Sequence, residues 1–569
     1  MRVQGDEKRD TKGRLIRIEI ERTMFDNVFA HKITRDEVTI VGAGPAGLAI
    51  ALELDRRGIS SRILESGGLH RDKSLSRLSQ ATVLSEATHD PLEAVSAQMF
   101  GGTSNLWAGA CVPFDPIDLS RRQFLSSTVW PIEYQKLARY YEPACAFLDA
   151  GPSEFSDHLS ACFDQTTFQA NNLARFAKIR RTQVKHMARL KTSTRISISL
   201  NTVVTDVLVS GQGKVEAVRV ASSNGDLVTT LSVRTLIIAA GGLETTKLLL
   251  NMQRSHPALF GGSEGHLGRY YMGHVTGSIA DIRFARPEYT DLFDFALQRG
   301  TFVRRRFQPT EKTQTELGLS NTALWPEGAI ADPRHESAML STLYLVVAAN
   351  RIGRSALPEV MRRRHTGSSL TSASDHLRNF RLGNWRNSYA DIRTIVKRLA
   401  ASPRPPGFFI RNRKHQYRLI YHAEHLPHGD SRVRLTHQKD YLGRNQLAID
   451  LRFQQEDAAS VAKLHYRMSQ SLENSAFARV ELSSSKPDDI MANVLRQARH
   501  GTHQLGTTRM ALSAADGIVN GDLQTFDLPN MYLCSGSVFP TSGQANPTLT
   551  VTALGLRLAA FIALNRDHI

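Results

Sequence analysis

Cysteines are few and long apolar segments are missing, and both absences exclude common classes of protein. The four cysteines among 569 residues lie far apart and include no C-x-x-C pair, which argues against a disulfide framework, a zinc ribbon and a redox dithiol. No stretch approaches the ~18 consecutive apolar residues of a membrane-spanning helix. The charged N-terminus shows no apolar signal region. We therefore expect a cytoplasmic protein without a transmembrane segment.

Lysine is scarce as well, although the chain is basic. Only 16 of the 71 basic residues are lysine, 55 are arginine, and the net charge is +17. Such an excess favours anionic partners such as acidic substrates, lipid headgroups or nucleic acid. Arginine runs occur at Arg304–Arg306 and Arg362–Arg364, but no nucleic-acid-binding module accompanies them. We interpret them as solvated faces, expect no nucleic-acid partner, and leave peripheral membrane association open.

A strand, a glycine-rich turn and a helix follow the polar first 35 residues. Val38–Val41 is a short apolar run, and the pattern G-x-G-x-x-G follows at Gly42, Gly44 and Gly47. Apolar residues then recur with helical spacing. A second apolar run ends at Glu65. This order predicts a βαβ unit of the kind that binds dinucleotides.

Each residue of this unit has a physical reason to be there. Gly42 permits a tight turn, Gly44 lets the backbone approach a pyrophosphate, and Gly47 allows close packing of helix and strand. The helix N-terminus offers free N–H groups to phosphates. Glu65, 18 residues beyond Gly47, is placed to accept hydrogen bonds from ribose hydroxyls, and its charge disfavours the 2′-phosphate of NADP. The motif by itself leaves FAD and NAD open.

Further segments resemble one known family. They are FGGTSNLWAGACVPFDPIDL (100–119), LIIAAGGLETTKLLL (236–250), HLGRYYMGH (266–274), HQLGTTRM (503–510) and MYLCSGSVFPTSGQANPTLTVTALGLRLA (531–559). They are similar to segments of the glucose–methanol–choline (GMC) oxidoreductases, which are FAD-dependent alcohol dehydrogenases and oxidases. The resemblance is strongest to the bacterial sugar and polyol branch that includes gluconate and fructose dehydrogenases, and it runs from residue 38 to about residue 562.

The resemblance implies an α/β fold with an α+β insert. We expect a Rossmann-like FAD-binding domain that is discontinuous in sequence and a substrate-binding domain built on an antiparallel sheet. The predicted boundaries are an N-terminal extension at 1–35, the FAD-binding domain at 36–150, 196–274 and 500–569, a connecting segment at 151–195, and the substrate-binding domain at 275–499.

The resemblance also implies the catalytic residues. His503 matches the family's catalytic base, and histidine suits proton transfer near neutral pH. His500, three residues earlier, is the alternative that the motif disfavours. Asn546 matches the position that holds the substrate oxygen, and as the residue before Pro547 it is also a good candidate for a helix N-cap.

The implied FAD contacts extend beyond the glycine turn. They are Gly42, Ala43, Gly44, Pro45, Ala46, Gly47, Glu65, Gly102, Thr103, Asn105, Trp107, Val204, Gly241, Gly536, Ser537, Asn546, Pro547 and Thr548. For Trp107, packing in the core is the alternative. Leu106 stands where several members of the branch carry a histidine that attaches FAD covalently, so we expect noncovalent FAD. We expect no metal site.

The resulting prediction is an FAD-dependent oxidoreductase that moves hydride from the CH–OH group of an alcohol, polyol or sugar-like substrate to flavin N5. Whether the electron acceptor is O₂, a quinone or another compound stays open. Two alternatives remain: a flavin enzyme of another class, such as a monooxygenase, and a non-catalytic protein that binds anions or nucleic acid.

Overall fold

The structure is a computed structural model. It describes residues 24–29, 36–125, 129–157, 159, 163–349, 373–381, 385–407 and 409–566. Most of the predicted N-terminal extension and the run Arg362–Arg364 lie outside these residues.

Nineteen strands occur in the described residues. They are β1 (Val38–Val41), β2 (Ser61–Leu64), β3 (Ala81–Val83), β4 (Ala110–Cys111), β5 (Phe168–Phe176), β6 (Ile196–Ser199), β7 (Thr202–Val209), β8 (Val215–Ser222), β9 (Val228–Ser232), β10 (Thr235–Ile238), β11 (His274–Phe284), β12 (Ala296–Gln298), β13 (Thr301–Pro309), β14 (Thr322–Glu327), β15 (Gln416–Glu424), β16 (Arg432–Lys439), β17 (Asn445–Asp450), β18 (Ala478–Leu482) and β19 (Met531–Leu533).

Fifteen α-helices occur in the same described residues. They are α1 (Pro45–Arg56), α2 (Leu92–Val95), α3 (Pro116–Leu119), α4 (Tyr134–Ala138), α5 (Tyr141–Leu148), α6 (Thr182–Thr192), α7 (Gly242–Ser255), α8 (Pro287–Asp291), α9 (Glu311–Leu317), α10 (Ala338–Ala349), α11 (Ala373–Arg381), α12 (Trp385–Ala400), α13 (Gln455–Leu472), α14 (Pro487–Gln497) and α15 (Thr548–Leu564). None of the helices in the described part of the chain is long and apolar enough to cross a membrane.

A five-stranded parallel sheet forms the first layer of the fold. Its strand order is β19-β10-β1-β2-β6, and each neighbouring pair is parallel. All residues of β1, β2 and β10 are buried, as expected for parallel strands covered on both faces. Helices α1 and α15 pack against each other beside this sheet. The predicted Rossmann-like architecture is confirmed.

An eight-stranded antiparallel sheet forms the second large unit. The strand order is β18-β11-β15-β14-β13-β5-β4, and β12 pairs with β13. Every neighbouring pair is antiparallel, which confirms the predicted sheet type. Strand β5 lies in the segment that we predicted as a connector, and β4 lies in the segment predicted as FAD-binding. Long-range pairing therefore recruits strands from outside the predicted insert.

Two smaller sheets complete the strand pairing. Strands β7, β8 and β9 form an antiparallel sheet, and β16, β17 and β3 form a mixed one. Both of these sheets are separate from the large antiparallel sheet.

Residues 24–29 pack against the parallel sheet, although they belong to the predicted N-terminal extension. The backbone N–H of Asp26 donates to the carbonyl of Ile198 on β6 at 3.0 Å. Phe25 meets Phe100 edge to face at 5.8 Å between ring centroids. Met24 is buried in the same core. This short segment is therefore part of the domain's core.

Candidate active site

The turn between β1 and α1 has the close packing that its glycines allow. Gly42 has a φ of +103°, in the region that favours glycine. A Cβ atom on Gly42 would lie 2.7 Å from the Ala239 carbonyl oxygen, and one on Gly47 would lie 2.0 Å from the Gly42 carbonyl oxygen. Substitution at either position would force the backbone of the turn apart.

The same turn leaves room for a ligand. A Cβ atom on Gly44 would meet nothing within 4 Å, and the same holds for Gly241 at the start of α7. No side chain caps the N-terminus of α1, which begins at Pro45. Its N–H groups that lack a side-chain cap and the positive end of the helix dipole suit phosphate groups. The predicted pyrophosphate contacts at this turn are therefore compatible with the structure.

Glu65 lies at the end of β2, beside this turn. Its carboxylate is buried and accepts hydrogen bonds from the backbone N–H groups of Ala43 at 2.8 Å and Gly67 at 2.9 Å. Burial raises the pKa of Glu65 to about 7, although both N–H donors oppose this shift. A buried carboxylate at this strand end, with lone pairs left over, fits the predicted ribose ligand.

The loop after Gly101 runs beside the glycine turn. A Cβ on Gly102 would lie 3.0 Å from Cα of Gly44. The side chain of Asn105 donates to the carbonyls of Phe100 and Gly102 and accepts from Gln183. These hydrogen bonds fix the shape of the loop, and a contact of Asn105 with the flavin stays a prediction.

Trp107 and Leu106 follow in the same loop. Trp107 is partly buried, packs against the core of the parallel sheet and donates its indole N–H to the Arg180 carbonyl at 2.7 Å. Its packing matches the alternative of a core role. Leu106 is partly buried and offers only an aliphatic side chain.

The remaining predicted contacts lie on several elements. Val204 is buried on β7, Thr103 is exposed, and Ser537 is buried with its hydroxyl 2.6 Å from that of Thr508. A Cβ atom on Gly536 would lie 2.9 Å from the Gln504 carbonyl oxygen. That close approach holds the loop carrying His503 against the β19 end of the parallel sheet.

His503 and Asn546 contact each other. Nδ2 of Asn546 donates to Nε2 of His503 at 3.2 Å. Because Nε2 accepts this bond, the ring proton of His503 lies on Nδ1, which donates to Nδ1 of His274 at 2.9 Å. Tertiary structure thus joins residues that are 43 and 229 positions apart in sequence.

Asn546 does not act as the predicted helix cap. Helix α15 begins at Thr548, Pro547 precedes it, and no side chain caps its N-terminus. The side-chain amide of Asn546 turns toward His503 instead. No side-chain oxygen accepts from the first helical N–H groups of α15, so the capping interpretation is wrong.

Three further histidines surround His503, and the sequence analysis did not assign two of them. The ring centroid of His503 lies 4.8 Å from those of His274 and His500 and 5.8 Å from that of His422. His274 begins β11 and His422 lies on β15, the strand paired with it. No short-range spacing could reveal this group, because strand pairing creates it.

The surroundings of these rings favour their neutral forms. Burial, and then the neighbouring His422, lowers the pKa of His503 to about 3. Burial and the other histidines lower the pKa values of His274 and His500 well below the usual range. At neutral pH the imidazole of His503 is therefore uncharged and has a lone pair on Nε2.

The run Arg304–Arg306 is not a solvated face. It lies on β13, and Arg305 and Arg306 are buried. Arg305 pairs with Asp157 and donates to the Ala170 carbonyl. Arg306 donates to the side-chain oxygen of Gln544 at 2.7 Å. These side chains turn into the protein because β13 is an interior strand of its sheet, so our interpretation of this run is wrong.

Comparison with known proteins agrees with this geometry. Residues 427–555, which include His503 and Asn546, match the family described as GMC oxidoreductase. Residues 35–98, which include the glycine turn and Glu65, match the family described as FAD binding domain. The chain therefore carries a GMC oxidoreductase domain and an FAD binding domain.

Similar proteins span nearly all of this chain. It is 22% identical to a 2-methyl-1,2-propanediol dehydrogenase of Mycolicibacterium austroafricanum, over 93% of this chain and 95% of the relative. A fungal aryl-alcohol oxidase structure superposes with a TM-score of 0.54 at 14% identity, covering 94% of this chain and 100% of that one. Pyridoxine 4-oxidase from Mesorbium loti has a TM-score of 0.51 at 15% identity with the same coverage.

These matches confirm an FAD-dependent enzyme that oxidises CH–OH groups, as the sequence predicted. They favour this function over the non-catalytic and monooxygenase alternatives. Membership of the sugar and polyol branch stays a prediction, as do the roles of the individual site residues.

Proposed function

We propose that this GMC oxidoreductase oxidises a small alcohol, polyol or sugar-like molecule, with His503 as the base and Asn546 as the holder of the substrate oxygen. The contact between Nε2 of His503 and Nδ2 of Asn546, at 3.2 Å, is the observation that carries this proposal. It sets a proton acceptor and a proton donor side by side.

A substrate hydroxyl satisfies both groups when it enters between them. Its oxygen accepts from Nδ2 of Asn546, and its proton points at the lone pair on Nε2 of His503. Bound FAD supplies the acceptor for the hydride that leaves the alcohol carbon. Because Nδ1 of His503 donates to His274, a proton gained on Nε2 can be balanced by release of the Nδ1 proton toward His274.

The chain's own residues account for cofactor binding. The N–H groups at the start of α1 and the open space at Gly44 suit the pyrophosphate, and Glu65 suits the ribose. The parallel strands come from the predicted ranges 36–150, 196–274 and 500–569, which supports a discontinuous FAD-binding domain. The name of the dehydrogenase relative supports a small hydroxylated substrate.

The test is anaerobic bleaching of the flavin absorbance by a panel of diols, polyols, sugars and aryl alcohols. We expect at least one hydroxylated compound to bleach the flavin and to yield a stoichiometric carbonyl product. Admitting O₂ or a quinone to the bleached enzyme then identifies the acceptor by the rate at which the yellow colour returns. Bleaching by NADPH alone, with no response to any alcohol, would contradict the proposal.

We predict that the FAD is noncovalent. Leu106 has no nucleophilic atom, so this position cannot form the histidyl bond expected of some relatives. Acid precipitation of the purified enzyme should release the yellow cofactor into the supernatant. Flavin that stays in the washed pellet would show attachment through another residue and overturn this prediction.

Asn546→Ala should slow flavin reduction less than loss of the base does. The change removes one hydrogen bond to the substrate oxygen, worth about 0.5–1.5 kcal/mol, or roughly 2- to 13-fold in rate. Since Asn546 does not cap α15, the melting temperature of the apoprotein should change little. Asn546→His is the matched variant, because it restores a donor. If the melting temperature of Asn546→Ala fell as it does when a helix cap is lost, Asn546 would instead have a structural role.

A further inference from the structure

The four histidines at the active site form a cluster that resembles a metal site. They are His274, His422, His500 and His503, and one ligand atom from each lies within 4.8 Å of those of the other three. Among the described residues, this is the group whose histidine, cysteine and carboxylate side chains meet closely enough to hold an ion. The sequence analysis predicted no metal site. The four rings come from three separate chain segments, so their spacing along the chain gave no sign of the cluster.

The hydrogen bonds of the cluster leave ring nitrogens suited to a metal. Nδ1 of His422 bonds to the Gln544 carbonyl at 2.8 Å, so the ring proton is held there and Nε2 carries the lone pair. Metal-ligating histidines typically donate their second ring N–H to such an oxygen. The side-chain oxygen of Gln544 in turn accepts a hydrogen bond from Arg306.

One nitrogen of His274 and one of His500 lack any hydrogen-bond partner. Nε2 of His274 and Nδ1 of His500 are buried without one, and both rings are more than nine-tenths buried. Buried polar atoms without a partner cost free energy and call for an explanation. A cation would use the lone pair on Nδ1 of His500, whose ring can carry its proton on Nε2 beside the Thr502 hydroxyl. It would use the lone pair on Nδ1 of His274, whose ring then keeps its proton on Nε2.

Packing brings the rings almost close enough for coordination. A tetrahedral site with metal–nitrogen bonds of about 2.0–2.1 Å has nitrogen–nitrogen edges of about 3.3 Å. Nδ1 of His503 and Nδ1 of His274 are already 2.9 Å apart, so the other two rings need only small rotations. Gly273 permits this crowding, since a Cβ there would lie 2.8 Å from Nδ1 of His500.

We propose that these four histidines bind one divalent transition-metal cation of the Zn²⁺ type, and that this ion inhibits the enzyme by capturing its base. Neutral imidazoles are good ligands for such ions. Binding stands on the geometry alone; the inhibition rests on the proposed function of His503.

The inhibition follows from the position of one proton. In the metal-free site Nδ1 of His503 carries the proton and Nε2 carries the lone pair. A cation bound at Nδ1 displaces this proton and takes the lone pair that it leaves on Nδ1, and the proton moves to the lone pair on Nε2 of the same ring. No proton enters or leaves the protein in this exchange. Nε2 then has no lone pair for the substrate hydroxyl, and Asn546 must turn its carbonyl oxygen toward the new N–H.

The first experiment measures binding to the FAD-loaded enzyme. Equilibrium dialysis against Zn²⁺ and metal analysis should give one ion per chain in the wild type. His422→Gln and His500→Gln should each weaken binding by more than about 100-fold, because loss of a ligand exceeds the 10–100-fold effect of losing an outer partner. His437→Gln, an exposed histidine on β16, is the control and should bind like the wild type.

A second measurement needs no variant. Co²⁺ added to the wild-type holoenzyme should give the intense visible bands of a tetrahedral nitrogen site, and Zn²⁺ should abolish them. Absence of these bands would overturn the proposed metal site. Equal Zn²⁺ binding by the wild type and all three variants would overturn it as well.

The inhibitory part has its own readout. Stoichiometric Zn²⁺ should slow flavin bleaching by substrate at least tenfold, and a chelator should restore the rate. If Zn²⁺ binds at the cluster but does not slow bleaching, the proposed inhibition is wrong and the proposed metal site stands. If Zn²⁺ binds as expected but no alcohol bleaches the flavin, the proposed function fails and the metal site stands.

Discussion

Replacing His503 by alanine is expected to leave FAD bound and to slow its reduction by substrate roughly 10²- to 10⁴-fold, the usual contribution of a positioned general base. The cofactor contacts that we propose lie at the glycine turn and at Glu65, whereas Nε2 of His503 faces Asn546. Anaerobic stopped-flow measurement of flavin bleaching at saturating substrate gives the rate directly. Raising the pH should partly rescue the variant, since a more ionised alcohol needs less help from a base.

His500→Ala is the matched control. His500 is buried in the same cluster, but Asn546 bonds to His503 and not to His500. Its flavin should bleach much faster than that of His503→Ala. The opposite order, with His503→Ala reducing at the wild-type rate and His500→Ala failing, would mean that the base is His500.

Replacing Glu65 by alanine is expected to weaken FAD binding by about 1.5–3 kcal/mol, the value of hydrogen bonds to a charged group. This corresponds to roughly 10- to 150-fold in the dissociation constant. The substitution removes the ribose acceptor and leaves the N–H groups of Ala43 and Gly67 without their partner. Fluorescence titration of the apoprotein with FAD measures the change, and unaltered affinity would exclude Glu65 as the ribose ligand.

The same carboxyl group should make FAD affinity depend on pH. Burial raises the pKa of Glu65 to about 7, whereas hydrogen bonds from ribose hydroxyls favour the ionised form and lower that pKa in the complex. Binding therefore requires loss of a proton below pH 7, and affinity should fall by up to tenfold per unit there while staying constant above it. Glu65→Gln should bind more weakly and lose this slope between pH 6 and 8.

Local sequence was sufficient for the glycine turn, because its physics is local. A strand, a turn that needs glycine at Gly42 and Gly47, and a helix follow one another within a few residues, and the structure has each where the pattern predicts it. Strand β17, by contrast, pairs with β3, which comes from a distant segment of the chain. The alternation of apolar residues and the turn residues beside it indicate a strand. Which strands it pairs with depends on packing between segments that are hundreds of residues apart.

Interpretations based on residue type alone were less successful. Arg304–Arg306 was read as solvated because arginine is usually exposed, yet β13 is an interior strand and two of the three side chains are buried. Asn546 was a reasonable cap by its position before Pro547, but the neighbouring His503 provides a different partner for its amide. In both cases a tertiary contact outweighs a local preference.

The sequence by itself determined the cofactor-binding turn, the FAD-dependent class and the identity of His503 and Asn546 as a candidate pair. Only the tertiary structure decided that His274, His422 and His500 surround that base. The pairing of β11 with β15 aligns His274 near His422, and the close packing of Gly273 against His500 brings in the loop that carries His503. Since these contacts form only when distant segments meet, no spacing along the chain could encode them.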